Sequence, residues 1–289
     1  MGDLVSGKTL EDTHYALQEV LLMCHHKNAI PIVIGGGNDL SFSLFAALNQ
    51  YQSEVNYTQI SNVIALQNSN ESLSEDNFLA KIFSSKNFSV KQYNHLGYQK
   101  HLNDVEQVKL MKDLGFDTLR LAEMMNGTER CEPYFRRADL VTINTDSVES
   151  FGKPFSIHPQ INGLNRREVC AYMKEVGLGE NLKTVGLFNL NIEKLGVLNG
   201  QLLSQMLWYL IEGINIQKSH PKEKTFDTFW VMVEDKEYAF HRDAFSGLWY
   251  FGEGTNVEEW LPCSAEAYEM AKRGVLNVLL MKYLERRQR

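Results

Sequence analysis

Cysteine, proline and long apolar runs are all scarce in this sequence. Its 289 residues include 4 cysteines and 6 prolines. The cysteines lie far apart and without C-x-x-C spacing, at Cys24, Cys131, Cys170 and Cys263. This pattern predicts neither a zinc site nor a disulfide framework, and it suits a reducing compartment. The opening residues 1–5 resemble no signal peptide, and no run of 18 apolar residues occurs, so we expect a cytoplasmic protein without a membrane span.

Basic stretches are also missing before the last five residues. The formal net charge is −7 and the sequence pI is about 5.7. The one basic run, residues 285–289, suits the C-terminal end of a helix, where cations interact favourably with the helix dipole. The charge balance therefore argues against nucleic acid or an anionic membrane surface as a partner.

Helical and strand-like segments alternate over the first 218 residues. Residues 9–26 have apolar side chains at spacings of three and four, which predicts a helix, and residues 29–34 form a short β-branched run, which predicts a buried strand. Parallel strands need long crossovers, usually helices. We therefore predict a three-layer α/β/α domain with a mainly parallel sheet over residues 1–218.

The pattern changes after Pro221. Residues 226–233 and 237–250 alternate and are rich in aromatic side chains, which predicts antiparallel strands. Residues 265–286 predict one final helix. We therefore expect residues 219–289 to form a β-rich appendage with a C-terminal helix, packed on the first domain.

Three predicted strands end in polar residues. Gly35-Gly36-Gly37-Asn38 follows the predicted strand at 29–34, Gln67 to Glu71 follow a predicted strand at 60–66, and Asn144-Thr145-Asp146 follows a strand that ends at 143. The carboxyl ends of parallel strands meet at one edge of a sheet, where ligands bind. We call this edge the rim. The glycines predict a turn with positive φ, because the third glycine of a dinucleotide fingerprint is replaced by Leu40 and no Gly-Lys-Ser/Thr follows.

Taken together, these segments resemble the ureohydrolase superfamily, which comprises arginases, agmatinases and formimidoylglutamases, and the likeness is greatest to the formimidoylglutamases. Gly35 to Asp39 resembles the family's Gly-Gly-X-His-Asp/Ser element. Gln67 to Glu71 stands where the family has Asp-X-His-X-Asp after a strand, and Asn144 to Asp146 where it has Asp-X-Asp. Phe188 to Asn191 resembles its Glu-X-Asn element. The resemblance implies an arginase-like fold over about residues 9–215.

The family hydrolyses an amidine or guanidine carbon with a hydroxide that bridges two Mn²⁺ ions. Carried over by the resemblance, the six metal-ligand positions retain two carboxylates and no imidazole: Asn38, Gln67, Ser69, Glu71, Asn144 and Asp146. The position of the glutamate that grips the substrate is Asn189. Two divalent ions about 3.5 Å apart repel each other by about 20 kcal/mol at an effective dielectric near 20. Two carboxylates and neutral amides do not offset this repulsion.

The sequence therefore predicts a non-catalytic ureohydrolase-like protein that has lost the dinuclear manganese site, has no cofactor, and acts as a scaffold, a regulator or an oligomer partner. In that case the amides form a hydrogen-bond network that keeps the rim folded.

Two alternatives remain open at this stage. The first is an active metal-dependent hydrolase of linear amidines with Mn²⁺, or a single weakly held cation, at Glu71 and Asp146. The second is a metal-free binder of a small polar metabolite. Its cleft would be lined by Gly36, Gly37, Asn38, Asn68, Asn70 and His158. The resemblance also implies homo- or hetero-oligomers. It further implies a strand and a helix upstream of residue 9, which this sequence lacks, so three explanations stay open: the chain is an N-terminally truncated fragment, its start is displaced, or its sheet is smaller than the family's.

Overall fold

The computed structural model describes residues 2–125, 127–150 and 153–287. Within these residues the α-helices are α1 (Leu10–His26), α2 (Leu40–Tyr51), α3 (Phe78–Ser84), α4 (Val105–Asp113), α5 (Leu121–Met124), α6 (Glu132–Arg136), α7 (Arg166–Gly177), α8 (Val197–Ser219), α9 (Ala265–Lys272) and α10 (Val278–Arg287). The strands are β1 (Ile32–Ile34), β2 (Val55–Ile60), β3 (Val90–Tyr98), β4 (Asp117–Arg120), β5 (Leu140–Asn144), β6 (Thr184–Phe188), β7 (Phe226–Val233), β8 (Lys236–Asp243), β9 (Trp249–Phe251) and β10 (Leu261–Cys263).

A six-stranded parallel sheet forms the centre of the first domain, with the strand order β1-β6-β5-β2-β3-β4. Two apolar cores cover it. Helices α1 to α4 contribute to one core, and α5 to α8 contribute to the other. Crossover helices bury both faces of a parallel sheet, and this explains why strands β5 and β6 are buried at every position. The predicted three-layer α/β/α class is confirmed.

The predicted C-terminal β segment is a four-stranded antiparallel sheet with the order β10-β9-β8-β7. Its inner face packs on α9 and α10 around Phe240, Phe251 and Leu280. One helix over residues 265–286 was predicted, and this is wrong, because two helices occur there. The break lies at Gly274, whose φ of +82° is incompatible with a right-handed helix. Helix α8 ends at Ser219, one residue beyond the predicted boundary between residues 218 and 219.

Two arginines of the first domain hold this second sheet. The Arg136 side chain is buried, and its guanidinium pairs with Glu132 and donates to the backbone oxygens of Trp249 and Cys263. Arg137 donates to the backbone oxygens of Val257 and Glu258, both at 2.6 Å. A buried guanidinium with five donors can link several carbonyls at once, and Arg136 therefore joins helix α6 to the second sheet.

No described helix combines the length and the apolar character that crossing a bilayer requires.

We predict that Arg136→Ala lowers the free energy of unfolding by about 3–5 kcal/mol, because it leaves Glu132 and two carbonyls without their partner. The matched control is Arg130→Ala, since the Arg130–Glu266 ion pair also joins the two parts but is half exposed. Exposed pairs contribute about 0–1 kcal/mol. Urea denaturation followed by circular dichroism measures both variants, and equal losses would contradict the assigned role of Arg136.

Candidate functional site

The rim lies where β1, β6, β5 and β2 end side by side. Gly35 and Gly36 follow β1 with φ of +90° and +78°, as the triple glycine predicted. A Cβ atom on Gly36 would lie 2.3 Å from the Leu40 side chain, so a larger residue fits poorly at this turn. The turn brings Asn38 under the rim, where its side chain is buried.

The predicted end of β2 is wrong. The apolar pattern predicted a strand at residues 60–66, whereas β2 spans Val55–Ile60. Gln59 in the true strand is polar but fully buried, and the apolar run that follows at residues 63–66 is a loop held by the Asn103 side chain. The strand was missed because it contains buried polar residues that are hydrogen-bonded. The loop was mistaken for a strand because its residues are apolar.

Residues 67–71 consequently lie in the loop between β2 and α3, away from the strand end. Gln67, Asn68, Asn70 and Glu71 are exposed and Ser69 is partly buried. The Asn68 amide donates to Glu71 Oε1 at 3.3 Å within this loop. The residue of this loop that reaches the rim is Glu75, whose Oε2 accepts a hydrogen bond from Asn189 at 2.8 Å. The prediction that Glu71 lies beside Asp146 is therefore wrong. Glu75 is the carboxylate of this loop that lies near Asp146.

Directly after β2 the chain reads Ser61-Asn62-Val63-Ile64-Ala65. If the Asp-X-His-X-Asp element of the resemblance is placed directly after β2, its three ligand positions correspond to Ser61, Val63 and Ala65. None of these side chains contains a carboxylate or an imidazole. With this placement, Asp146 is the one carboxylate among the six positions that the resemblance assigns to metal ligands.

A buried network of neutral groups occupies one half of the rim. Asn38 Oδ1 accepts hydrogen bonds from Gln59 Nε2 and Ser41 Oγ, both at 3.3 Å. The Tyr93 hydroxyl lies 2.9 Å from Gln59 Oε1 and from His95 Nδ1. Burial lowers the pKa of His95 to about 4, so this imidazole is neutral at neutral pH.

The network continues across β2 to β5. His95 Nε2 lies 3.0 Å from the backbone oxygen of Ser61, and Asn144 Nδ2 lies 3.5 Å from Ser61 Oγ. Asn144 Oδ1 accepts from the backbone N–H of Asp146 at 2.9 Å and thereby caps the short 3₁₀ turn after β5. Asn38 and Asn144, two of the sequence-predicted positions, therefore belong to one hydrogen-bonded group.

Asn189 connects the other half of the rim. It follows β6 with φ of +60°, a conformation that asparagine tolerates better than most residues. Its Nδ2 donates to Asp146 Oδ2 at 2.7 Å and to Glu75 Oε2 at 2.8 Å, and its backbone N–H donates to Gly36 O at 2.9 Å. One side chain thus joins the loops that follow β2, β5 and β6, and its backbone joins the loop that follows β1.

Asp146 is buried and accepts donors at both oxygens. The backbone N–H of His158 lies 2.9 Å from Oδ1, and His158 Nδ1 lies 3.3 Å from Oδ2. The His158 side chain is 63% exposed, so it covers Asp146 from the solvent side. His158 therefore lies at the rim, beside Asp146.

A third acidic group, Asp39, pairs with a histidine of α1. Asp39 Oδ2 lies 3.0 Å from His14 Nε2, and His14 Nδ1 lies 2.6 Å from Ser43 Oγ. Asp39 directly precedes α2, but its side chain makes no cap hydrogen bond, because His14 engages it instead. The contact fastens α1 to the turn that follows β1.

The pKa of Glu75 is raised, and the largest cause is burial. The Asn189 hydrogen bond lowers it, whereas the negative charges of Asp39 and Asp146 raise it further. Asn189 therefore supports the ionised form of a carboxyl group that burial and like charge oppose.

These residues do not fit a pair of manganese ions. Both oxygens of Asp146 already accept N–H donors, so a metal ion would compete with these donors for the carboxylate. In the ranges that the structure describes, no group of three or more His, Cys, Asp or Glu side chains is suitably placed for a metal ion. Neutral amides and hydroxyls supply none of the negative charge that two adjacent divalent ions require.

Sequence reasoning missed Gln59, Ser61, Glu75, Tyr93 and His95. Two pairs of polar residues were the available signal in the sequence. Thr58-Gln59 directly precedes one predicted strand, and Asn94-His95 lies inside another. Polar residues in a buried strand require partners, and facing partners on neighbouring strands indicate a network.

No protein-family model matches the sequence, and no curated protein matches it. Solved structures do match. A Trypanosoma cruzi formiminoglutamase with Mn²⁺ is 18% identical, with a TM-score of 0.68 and 75% of each chain covered. Formimidoylglutamase from Bacillus subtilis is 12% identical, with a TM-score of 0.64 and 74% of this chain and 70% of that chain covered. Arginase from Bacillus cereus is 13% identical, with a TM-score of 0.58 and 69% of this chain and 76% of that chain covered. The chain has the arginase superfamily fold.

We predict that Asn189→Asp destabilises the protein by about 3 kcal/mol at pH 7, because it removes two hydrogen bonds to carboxylates and adds a third negative charge beside them. The loss should shrink towards pH 5. The raised pKa of Glu75 means that its ionised form costs stability at higher pH and that this cost disappears as the carboxyl group is protonated.

The matched control for this prediction is Asn191→Asp, the same substitution two residues away. Asn191 Oδ1 accepts from the backbone N–H of Lys194, a role that an aspartate also performs. Urea denaturation at pH 5, 6 and 7 measures both variants. A similar loss in both, or a loss in Asn189→Asp that does not depend on pH, would contradict the bridging role.

Proposed function

We propose that this chain, which has the arginase superfamily fold, is a non-catalytic protein that serves as a scaffold, regulator or oligomer partner. In this proposal the rim has exchanged a dinuclear metal centre for hydrogen bonds. The chemistry of amidine hydrolysis is absent, while the fold that supported it is retained.

The observation that carries the proposal is the direction of the Asn189 amide. Its two N–H groups point at the Asp146 and Glu75 carboxylates, at 2.7 and 2.8 Å. A cation held by these carboxylates would compete with these donors for the same oxygens, Asp146 Oδ2 and Glu75 Oε2. The rim therefore satisfies its own charge from within the chain.

Substrate recognition supports the same proposal independently. By the resemblance, the residue that grips the amidine is a glutamate, and Asn189 stands in its place. An amide has no net charge to pair with an amidinium, and this one already donates both of its N–H groups. The competing function is metal-dependent hydrolysis of linear amidines. It would need a different set of metal ligands and a different residue to pair with the substrate's amidinium.

We predict that protein purified with excess Mn²⁺ and then dialysed retains far less than one equivalent of metal by plasma mass spectrometry. It should not hydrolyse formiminoglutamate, agmatine or arginine. An active formimidoylglutamase carried through the same protocol is the control, with about two ions expected. Nearly two tightly held equivalents together with turnover would overturn the proposal.

A specific observation favours a second candidate, a metal-free binder of a small polar ligand. Three buried oxygens near the rim have no hydrogen-bond partner among the described residues: Asn62 Oδ1, Ser156 Oγ and Asn189 Oδ1. Unpaired buried acceptors cost stability, and a ligand with N–H donors would satisfy them.

We predict, for this second candidate, that an amidine or guanidine such as agmatine or arginine raises the melting temperature of the EDTA-treated protein. Putrescine, which has amines but no amidine, is the matched control ligand. Equal melting temperatures with all three compounds at millimolar concentration would contradict ligand binding and leave the scaffold as the supported function.

A further inference from the structure

The two edges of the C-terminal sheet are built differently. The β10 edge is three residues long, contains Pro262 and receives the Arg136 side chain at the Cys263 carbonyl. The β7 edge is eight residues long and contains no proline or lysine. Proteins usually protect a sheet edge with short strands, proline, lysine or a covering element. One edge of this sheet is therefore protected and the other is open.

The backbone of β7 presents hydrogen-bonding groups along this open edge. Val233 pairs with Lys236 around a two-residue turn, so the odd-numbered residues of β7 face β8 and the even-numbered residues face outwards. The bond from Ala244 N to Thr225 O continues the same alternation. No other described element hydrogen-bonds to the outward N–H and C=O groups, which belong to Phe226, Thr228, Trp230 and Met232.

The side chains of β7 extend the open surface. Trp230 is 60% exposed and Met232 is 62% exposed, whereas Val231 and Val233 are buried on the opposite face. Large exposed apolar side chains beside unpaired backbone groups are typical of strands that pair with another chain.

We propose that the β7 edge pairs with β7 of a second copy, antiparallel and about a twofold axis, so that the two C-terminal sheets become one continuous sheet. The occupant is a second copy because an antiparallel edge is complementary to itself under a twofold rotation. With Trp230 on the axis, Thr228 lies opposite the second copy's residue 232, and every such pair has outward-facing backbone groups.

Charge does not oppose this arrangement. Asp227 is the one charged residue of β7, and in this register it lies opposite the second copy's residue 233, a valine. The two Trp230 side chains meet on the same face, where cross-strand aromatic pairs stabilise sheets. The dimer depends on no residue of the rim, so it stands or falls separately from the proposed loss of catalysis.

The experiment measures mass in solution by light scattering after size-exclusion chromatography at tens of micromolar. The wild-type chain should have about twice its monomer mass of 33.1 kDa. Trp230→Lys should be a monomer, because an edge lysine resists strand pairing. Thr228→Pro should also be a monomer, since it removes an N–H group that the sheet itself does not use.

The matched control is Trp208→Lys, at an equally exposed tryptophan on α8 that is 58% exposed. This variant should remain a dimer. A monomeric wild-type chain would overturn the proposal, and so would a monomeric Trp208→Lys beside a dimeric Trp230→Lys, which would move the interface to α8. If Thr228→Pro does not fold, Trp230→Lys decides, because its side chain is exposed.

Discussion

The rim depends on one side chain, the amide of Asn189, which lies between two carboxylates. Asp146 and Glu75 come from different loops, and their charges would drive those loops apart without a donor between them. In a metal enzyme with this fold a pair of cations would supply the positive charge at such a place. Here two N–H groups supply hydrogen bonds without any net charge. In the proposed exchange, these hydrogen bonds keep the loops together, and the Lewis acid that activates water is absent.

The remaining polar groups of the rim agree with this exchange. Asn38, Gln59 and Asn144 are neutral, buried and hydrogen-bonded, and His95 is neutral because burial lowers its pKa to about 4. A neutral network suits a site without cations, since each buried charge would need a partner of opposite sign. This neutral, hydrogen-bonded half of the rim is the physical basis for the proposed loss of catalysis.

Much of the fold was predictable from the sequence, because apolar periodicity reports which faces are buried. The turn at Gly35 and Gly36 was predictable too, since few other residues adopt positive φ. The end of β2 was not, because the buried strand contains Gln59 and its exit loop contains the apolar residues 63–66. Only the three-dimensional structure reveals that Tyr93 and Asn38 satisfy this glutamine. The wrong strand end in turn displaced the predicted site onto an exposed loop.

In the C-terminal sheet too, polar groups need hydrogen-bond partners. Here these groups are backbone N–H and C=O groups and not carboxylates. Arg136 satisfies the carbonyls of Trp249 and Cys263 where that sheet meets the first domain, and this accounts for a buried guanidinium at the contact. At β7 nothing within the described chain performs the same task. An unpaired backbone edge costs little stability in water, because water hydrogen-bonds to it. The β7 edge also has the exposed side chains of Trp230 and Met232 beside it, so a partner that covers the backbone and both side chains adds stability. The difference between the two edges therefore supports the proposal that β7 pairs with another chain.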